Sequence, residues 1–317
     1  MHTITAAATA LTLGIVTAAA LTGASAQAAT HPSAAADGGR SQQHLPAPDV
    51  PSSVLAEKKT HTVSVRLLDS EIQLSAAQVH AGLVTIRVSS PTADHILQIF
   101  RPHKQVSLQQ VLDDIGRLDR DPATAVRALQ KEATFFGGAE GAAGFAVTLT
   151  QKLTAGTYYL LDYARADQGA AAVKSLRVVG EAGDVRLRGV SATLRMVDVP
   201  DAHRFRIDGK IDGTGSFLVQ NRSMELHEAS FGQVKPGTTD AQIQAILDAE
   251  AAGQPAPPDP FVRDAGGLKV ISPGREVLVH IDHLSEGRYA ILCFIPDADT
   301  GLPHAYVGMH LVANFDG

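Results

Sequence analysis

The sequence GRYAILCF occupies residues 287–294, and a related sequence, GTYYLLDY, occupies residues 156–163. Both begin with glycine, carry tyrosine at the third position and leucine at the sixth, and end on an aromatic residue. At the seventh position, Asp162 stands opposite Cys293. The match indicates that one strand is present twice and that the chain contains an internal repeat.

The correspondence extends upstream of these two segments. Residues 83–101 (LVTIRVSSPTADHILQIFR) resemble residues 215–234 (GSFLVQNRSMELHEASFGQV), which places His95 opposite His227. The glycine pair Gly137-Gly138 corresponds to Gly266-Gly267. Each histidine is also followed by a helix-like stretch, residues 106–118 in one copy and residues 238–252 in the other. Thr238, Thr239 and Asp240 are suitable N-cap residues for the second of these helices.

Two repeats of about 120 residues therefore account for most of the chain: residues 60–180, the first repeat, and residues 181–317, the second repeat. Each contains alternating Val, Ile, Leu and Thr segments separated by Gly and Pro turns, a pattern typical of antiparallel sandwiches and Greek-key barrels. We therefore predict an all-β fold of two tandem Greek-key β-sandwich or barrel domains, each with a helical insertion.

The N-terminus predicts export. Residues 6–21 form an apolar run that is short and rich in alanine, and small residues at Ala24, Ala26 and Ala28 offer an A-x-A cleavage site. We assign residues 1–28 to a signal peptide, with a membrane anchor as the alternative. Residues 29–59, rich in Ala, Ser, Pro and Gln, are predicted to be a disordered linker. The protein is expected to be secreted or extracytoplasmic, without stable membrane insertion after cleavage.

Composition narrows the possible partners. The 317 residues are 44% hydrophobic, and the formal charge of -6 is spread along the chain without a basic cluster. A nucleic-acid partner is not expected, since it requires clustered positive charge.

The predicted export limits the roles that the single cysteine, Cys293, can have. Exported proteins usually pair their cysteines in disulfides, and an exposed lone thiol would be oxidised. Cys293 is therefore either deeply buried and inert or a metal ligand.

The residues around Cys293 resemble the cupredoxin family, the fold of plastocyanin and azurin. Such sites combine one Cys thiolate, two His imidazoles and a weak axial Met. His227 lies on an earlier strand, Cys293 ends the strand ILCF, His304 follows in a loop, and Met309 begins the last strand. The resemblance implies two cupredoxin-like domains and one mononuclear copper ion in the second, held by these four residues.

This sequence departs from the family pattern at two points. Ten residues, FIPDADTGLP, separate Cys293 from His304, whereas small blue copper proteins have two to four. Glu228 follows the first histidine where many cupredoxins carry Asn. The first repeat departs further, because Asp162 replaces the cysteine and no His or Met follows it. We expect no type 1 copper site there.

The resemblance implies one-electron transfer or copper handling, with an unidentified redox partner protein. One alternative is a metal-free binding or interaction protein in which the cysteine is buried and inert. The other is a copper carrier that does not transfer electrons. Multicopper oxidases require His-x-His pairs, and none of the 13 histidines forms one. On this basis the chain is expected not to be an enzyme.

Overall fold

β-Strands dominate the computed structural model, which describes residues 61–92, 95–141, 146–187, 190–200, 202–211, 215–282 and 284–316. The predicted signal peptide and linker lie outside these residues. The described strands are β1 (His61–Leu67), β2 (Ile72–Leu74), β3 (Gln78–His80), β4 (Gly82–Ser89), β5 (His95–Pro102), β6 (Ala133–Gly141), β7 (Val147–Leu153), β8 (Gly156–Asp162), β9 (Val173–Val179), β10 (Ala192–Val199), β11 (Ala202–Gly209), β12 (Ser216–Asn221), β13 (His227–Val234), β14 (Phe261–Ile271), β15 (Glu276–Ile281), β16 (Gly287–Leu292) and β17 (His310–Phe315).

The strands form two mixed sheets. One has eight strands in the order β11-β10-β12-β15-β7-β4-β1-β2, and the other has nine in the order β17-β16-β13-β14-β6-β5-β8-β9-β3. The prediction of an all-β fold is confirmed. The two repeats contribute strands in matching order, since β7-β4-β1-β2 corresponds to β15-β12-β10-β11, and β6-β5-β8-β9 corresponds to β14-β13-β16-β17.

Both sheets run through the two repeats without a break. β7 pairs antiparallel with β15, with Thr150 opposite Leu278, and β6 pairs with β14 through Phe136 and Ile271. These are equivalent strands, so the repeats meet through the same edges of their sheets. The domain boundaries at 60–180 and 181–317 stay a prediction, because residues 61–316, as far as they are described, belong to one compact unit.

The main hydrophobic core lies between the two sheets. Alternate residues of a strand face it, as Val63, Val65 and Leu67 do on β1, each with no exposed surface. Phe217 on the first sheet meets Phe231 on the second at 5.4 Å between ring centroids. Each such buried side chain contributes about 1.5–3 kcal/mol relative to exposure, which makes this layer the main stabilising element.

Helices interrupt the strand succession at the same place in each repeat. α1 (Leu108–Ile115) and α2 (Pro122–Glu132) lie between β5 and β6, and α3 (Asp240–Ala251) lies between β13 and β14. Thr239 caps α3 in a capping box with Gln242, which confirms the predicted N-terminus. α2 was not predicted; Pro122 occupies its first turn, a position that favours helix initiation.

No helix in the described part of the chain has the length and apolar character needed to cross a membrane.

Candidate metal centre

The ends of three neighbouring strands form the candidate site. β13 pairs with β16, and β16 pairs with β17. His227 is the first residue of β13, and Cys293 directly follows β16. His304 begins the short 3-10 helix His304–Val307, and Met309 directly precedes β17. The sheet therefore brings residues 82 positions apart to one edge.

Three of the four predicted ligands lie in direct contact. The Nδ1 atoms of His227 and His304 are 3.1 Å apart. Cys293 Sγ lies 3.6 Å from Nδ1 of His227 and 3.5 Å from Nδ1 of His304. All three side chains have no exposed surface, so the three donor atoms form a buried triangle.

The triangle fits a metal ion. A nearly equilateral triangle with edges of this length has its centre about 2 Å from each corner, which is an ordinary metal–nitrogen bond length. Nε2 of His227 is buried and has no hydrogen-bond partner among the described residues, so only Nδ1 of this ring takes part in polar contacts. Two imidazoles and a thiolate are donors that favour copper, and the cluster suits one copper ion in the second repeat.

Met309 is held beside this triangle by backbone hydrogen bonds. Its N–H donates to the carbonyl oxygen of His304 at 2.8 Å, and its own carbonyl accepts from the N–H of Cys293 at 3.3 Å. Met309 is fully buried. The turn that allows this arrangement needs Gly308, whose φ of 92° lies in the left-handed region that glycine tolerates.

The two ends of the long connection between Cys293 and His304 pair with each other. Pro296 and Pro303 form an antiparallel bridge. One step inward, His304 N–H donates to the Ile295 carbonyl at 2.9 Å, and Ala305 N–H donates to that of Cys293 at 2.7 Å. The extra residues therefore form a side loop, and Nδ1 of His304 still lies 3.5 Å from Cys293 Sγ.

Burial controls the ionisation of two of the predicted ligands. It raises the pKa of the Cys293 thiol, and the carboxylate of Glu228 adds to the rise. Burial also lowers the pKa of His227 well below its ordinary value, with His304 and His203 contributing in the same direction. In the protein without metal, Cys293 is therefore a neutral thiol and His227 a neutral imidazole.

A second layer of side chains surrounds the triangle, and sequence reasoning missed it. His304 Nε2 lies 3.2 Å from Glu225, and the His203 ring packs edge-on against those of both His227 and His304. Burial alone would raise the pKa of Glu225, but the neighbouring His203 and His304 rings lower it below its ordinary value. Glu225 lies in the bend before β13, where the alternation of strand residues does not apply, and only the fold brings it beside His304. His203 carried no sequence signal, since its strand reaches the site only through long-range pairing.

A buried ion network lies on the other side of Cys293. Lys269 on β14 is 3% exposed and pairs with Glu228 at 3.4 Å and with Glu140 on β6. Burial would lower the pKa of Lys269, but these two carboxylates raise it above its ordinary value. Glu228 also accepts the N–H of Phe294 at 3.2 Å and donates its own N–H to Cys293 Sγ at 3.5 Å.

In the first repeat, Asp162 lies at the position of the cysteine. It accepts a hydrogen bond from Nδ1 of His95 at 2.7 Å, and Nε2 of His95 lies 3.2 Å from Asp69. Both nitrogens of the histidine that corresponds to His227 are thus occupied by carboxylates. The expectation that this repeat has no type 1 copper site stays a prediction, and this pairing agrees with it.

Comparison with known proteins gives distant structural matches. No protein-family model and no curated protein matches the chain. Auracyanin A, a "blue" copper protein from Chloroflexus aurantiacus, is 14% identical with a TM-score of 0.28, over 38% of this chain and 100% of its own. Lac15 from a marine microbial metagenome is 11% identical with a TM-score of 0.21, over 81% of this chain and 65% of its own.

A third match is the blue copper oxidase of Nitrosomonas europaea, 11% identical with a TM-score of 0.19, over 81% of this chain and 85% of its own. Matches of this strength carry no argument about the chemistry of this chain, which rests on the geometry of the cluster.

The prediction that the chain is not an enzyme is contradicted. The structures matched over 81% of the chain include a blue copper oxidase and laccases, which are enzymes. The absence of His-x-His pairs argues only against additional copper centres built from such pairs. It does not exclude every enzymatic activity.

Proposed function

We propose that the second repeat holds one copper ion and that the exported protein transfers single electrons or handles copper outside the cytoplasm. Cys293 is the proposed thiolate ligand, His227 and His304 are the imidazole ligands, and Met309 is the weak axial ligand. The observation that supports this assignment is the buried triangle of two Nδ1 atoms and one Sγ, with edges of 3.1–3.6 Å. Copper in such a ligand set supplies a one-electron redox couple.

The residues around the ligands support this role in three ways. The strands β13, β16 and β17 fix the ligand backbone, which limits rearrangement between oxidation states. Complete burial of the ligands excludes water from the site. Glu225 accepts a hydrogen bond from His304 Nε2, which orients the ring and leaves Nδ1 available to the copper ion.

The network of Lys269 affects the site electrostatically. The ammonium group of Lys269 lies between two carboxylates, and one of them, Glu228, is in contact with the thiol through its backbone. A lysine at this position offsets part of the negative charge that Cys293 acquires when it loses its proton. Ligand binding by Cys293 is therefore less costly than it would be beside Glu228 alone.

A redox partner is proposed to dock on exposed apolar side chains of the segments that carry Glu225 and His304. Met224, Leu302 and Val307, three of the four large hydrophobic residues exposed in the described chain, belong to the segments that carry Glu225 and His304. Met224 is 73% exposed, and Leu302 is 49% exposed. Exposed apolar residues of this kind are typical of protein–protein contact sites.

The test is the colour of the copper-loaded protein. Titration of the reduced, metal-free protein with Cu(II) is expected to give an intense thiolate-to-copper absorption in the visible, saturating at one ion. Cys293→Ser should abolish the band. A colourless wild-type protein without stoichiometric copper would overturn the proposal and favour a metal-free binding protein.

A pair of methionine variants tests the axial ligand. Met309→Leu is expected to keep the colour and raise the reduction potential, because the thioether that favours Cu(II) is lost. Met196→Leu is the matched control, since Met196 is equally buried on β10 but lies outside the cluster. Equal potentials for the two variants would exclude Met309 as a ligand.

A further inference from the structure

A group of four side chains outside the triangle also brings metal-binding atoms together. His203, Glu225, Asp297 and His304, here called the outer cluster, each offer one donor atom, and all of these atoms lie within 4.8 Å of one another. They come from β11, from the turn before β13, from the side loop after Cys293, and from the 3-10 helix. The side loop therefore contributes Asp297, a residue that a shorter connection would lack.

The distances within the outer cluster are long for hydrogen bonds. His203 Nε2 lies 3.7 Å from Glu225 and 4.0 Å from Asp297, and His304 Nε2 lies 4.0 Å from Asp297. Only His304 and Glu225, at 3.2 Å, are within hydrogen-bond distance. Two ligands bound about 2.1 Å from one ion lie between about 3 and 4 Å apart, so these spacings suit a shared metal ion.

The second nitrogen of His203 is already fixed. Its Nδ1 lies 2.8 Å from a carboxylate oxygen of Asp198, which orients the ring and directs Nε2 toward Glu225 and Asp297. Metal-binding histidines usually have such a carboxylate partner on their other nitrogen.

The outer cluster has an excess of negative charge. Within the described residues, the only cationic partners within ion-pair distance of Glu225 and Asp297 are the two histidines, and no lysine or arginine reaches them. The side chains of His203, Glu225 and Asp297 are 13–18% exposed, so an ion can reach them from solvent. Two imidazoles and two carboxylates are a donor set for Zn(II) or Cu(II).

We propose that the outer cluster is a second metal site, which binds Zn(II) or Cu(II) through His203 Nε2, Glu225, Asp297 and His304 Nε2. The proposal does not depend on Cys293, and it therefore stands apart from the proposed copper function. Where both sites are filled, His304 connects them, with Nδ1 toward the inner triangle and Nε2 toward the outer cluster. When a metal ion binds Nε2 of His304, it displaces the proton that this nitrogen shares with Glu225, and the proton is released to solvent.

The experiment counts Zn(II) ions bound per chain by equilibrium dialysis and elemental analysis. The wild-type protein is expected to bind two ions. His203→Gln combined with Asp297→Asn should bind one, held by Cys293, His227 and His304. Cys293→Ser should also bind one, held by the outer cluster.

A matched control separates a specific loss from a general one. His280→Gln combined with Asp282→Asn changes another histidine–aspartate pair, 3.1 Å apart on β15 and the residues after it, and should retain two ions. If His203→Gln combined with Asp297→Asn does not fold, Asp297→Asn alone replaces it, because it changes only a loop side chain and should also bind one ion fewer than the wild-type protein. Circular dichroism establishes that each variant is folded.

The outcomes distinguish the two proposals. An ion count that is the same in the wild-type protein and in the folded variants of the outer cluster would overturn the second site. If Cys293→Ser retains every ion of the wild-type protein while His203→Gln with Asp297→Asn loses one, the inner copper site is wrong and the outer site stands.

Discussion

Cys293 is the residue on which the candidate site depends, and its surroundings favour the protonated thiol. The thiol has no exposed surface, and both burial and the nearby Glu228 raise its pKa. A thiol in this state is a poor nucleophile, because the thiolate is the reactive species. An ion that binds Cys293 must therefore displace a proton, and the apparent affinity for copper rises with pH.

The first prediction concerns the reactivity of this thiol. In the folded, metal-free protein, Cys293 should react with a thiol reagent at least about 100-fold more slowly than in urea, since reaction requires an opening that costs several kcal/mol. The rate is followed by absorbance with Ellman's reagent. The control is Leu302→Cys in a Cys293→Ser background, because Leu302 is 49% exposed and its replacement thiol should react rapidly. Equally fast reaction of both folded proteins would contradict the burial of Cys293.

The second prediction concerns pH and the stability of the metal-free protein. The pKa of His227 is well below 6.5 in the folded protein, so below pH 6.5 the unfolded chain binds a proton there that the folded chain does not. The free energy of unfolding should therefore fall as the pH decreases below 6.5, with this histidine contributing up to about 1.4 kcal/mol per pH unit.

Urea unfolding at several pH values between 5 and 8 measures this effect. His227→Gln should show a shallower dependence than the wild-type protein, and His280→Gln, which changes a histidine with a 40% exposed side chain, should show the wild-type dependence. A His227→Gln variant with an unchanged slope would contradict the prediction.

At the scale of elements, α3 supports the segment that carries His304 and Met309. Gln244 donates to the carbonyl of Tyr306 at 3.1 Å and lies 2.8 Å from Nε2 of His310. Tyr306 in turn donates its hydroxyl to Glu250 at 2.9 Å. The helix inserted in the second repeat thus holds the C-terminal ligand segment in place, and its own stability matters to the site.

The third prediction tests this support. Thr239→Ala removes the side-chain half of the capping box of α3 and should lower the free energy of unfolding by about 1 kcal/mol. Copper should also leave for a chelator faster than from the wild-type protein, because the segment after His304 is held less firmly. Ser107→Ala removes the equivalent cap from α1 and should cost similar stability without changing copper release. Equal release rates from the two variants would contradict the role of α3.

The sequence predicted the elements better than it predicted their contacts. The repeated strand and the capped helix at Thr239 followed from period-two patterning and from capping residues, which are local. The convergence of His227, Cys293 and His304 was expected from the resemblance to cupredoxins. The closure of the side loop depends on backbone hydrogen bonds such as that from His304 to Ile295, which composition does not encode. His203 and Glu225 were missed because only the fold brings them beside His304.

At the scale of the whole molecule, the two repeats are joined by paired strands and by a buried charge. Lys269 belongs to the second repeat and pairs with Glu140 of the first as well as with Glu228. In the sequence this lysine is an ordinary strand residue, and nothing local indicates that it is buried. Alternation likewise predicts β7 and β15 as strands, but it leaves open which strands form the edges of the sheet.

The fourth prediction concerns this buried charge. Lys269→Met should lower the free energy of unfolding by about 3–5 kcal/mol, because two partly or fully buried carboxylates lose their partner. Addition of Glu140→Gln should recover part of the loss. Lys235→Met, which changes an exposed lysine on the neighbouring segment, should stay within about 0.5 kcal/mol of the wild-type protein. Urea unfolding measures all three, and similar losses for Lys269→Met and Lys235→Met would contradict a buried ion network.

The antiparallel pairing of β7 with β15 and of β6 with β14 has a further meaning. When equivalent strands meet in opposite directions, the contact has the symmetry of an isologous dimer, in which each subunit offers the same surface to the other. The contact between the two repeats therefore resembles a subunit interface, and it covers sheet edges that would otherwise be open and prone to aggregation. In an arrangement of this kind, one half can serve as a structural partner without binding a metal ion itself. The pair His95 and Asp162 occupies, in the first repeat, the positions that His227 and Cys293 occupy in the second.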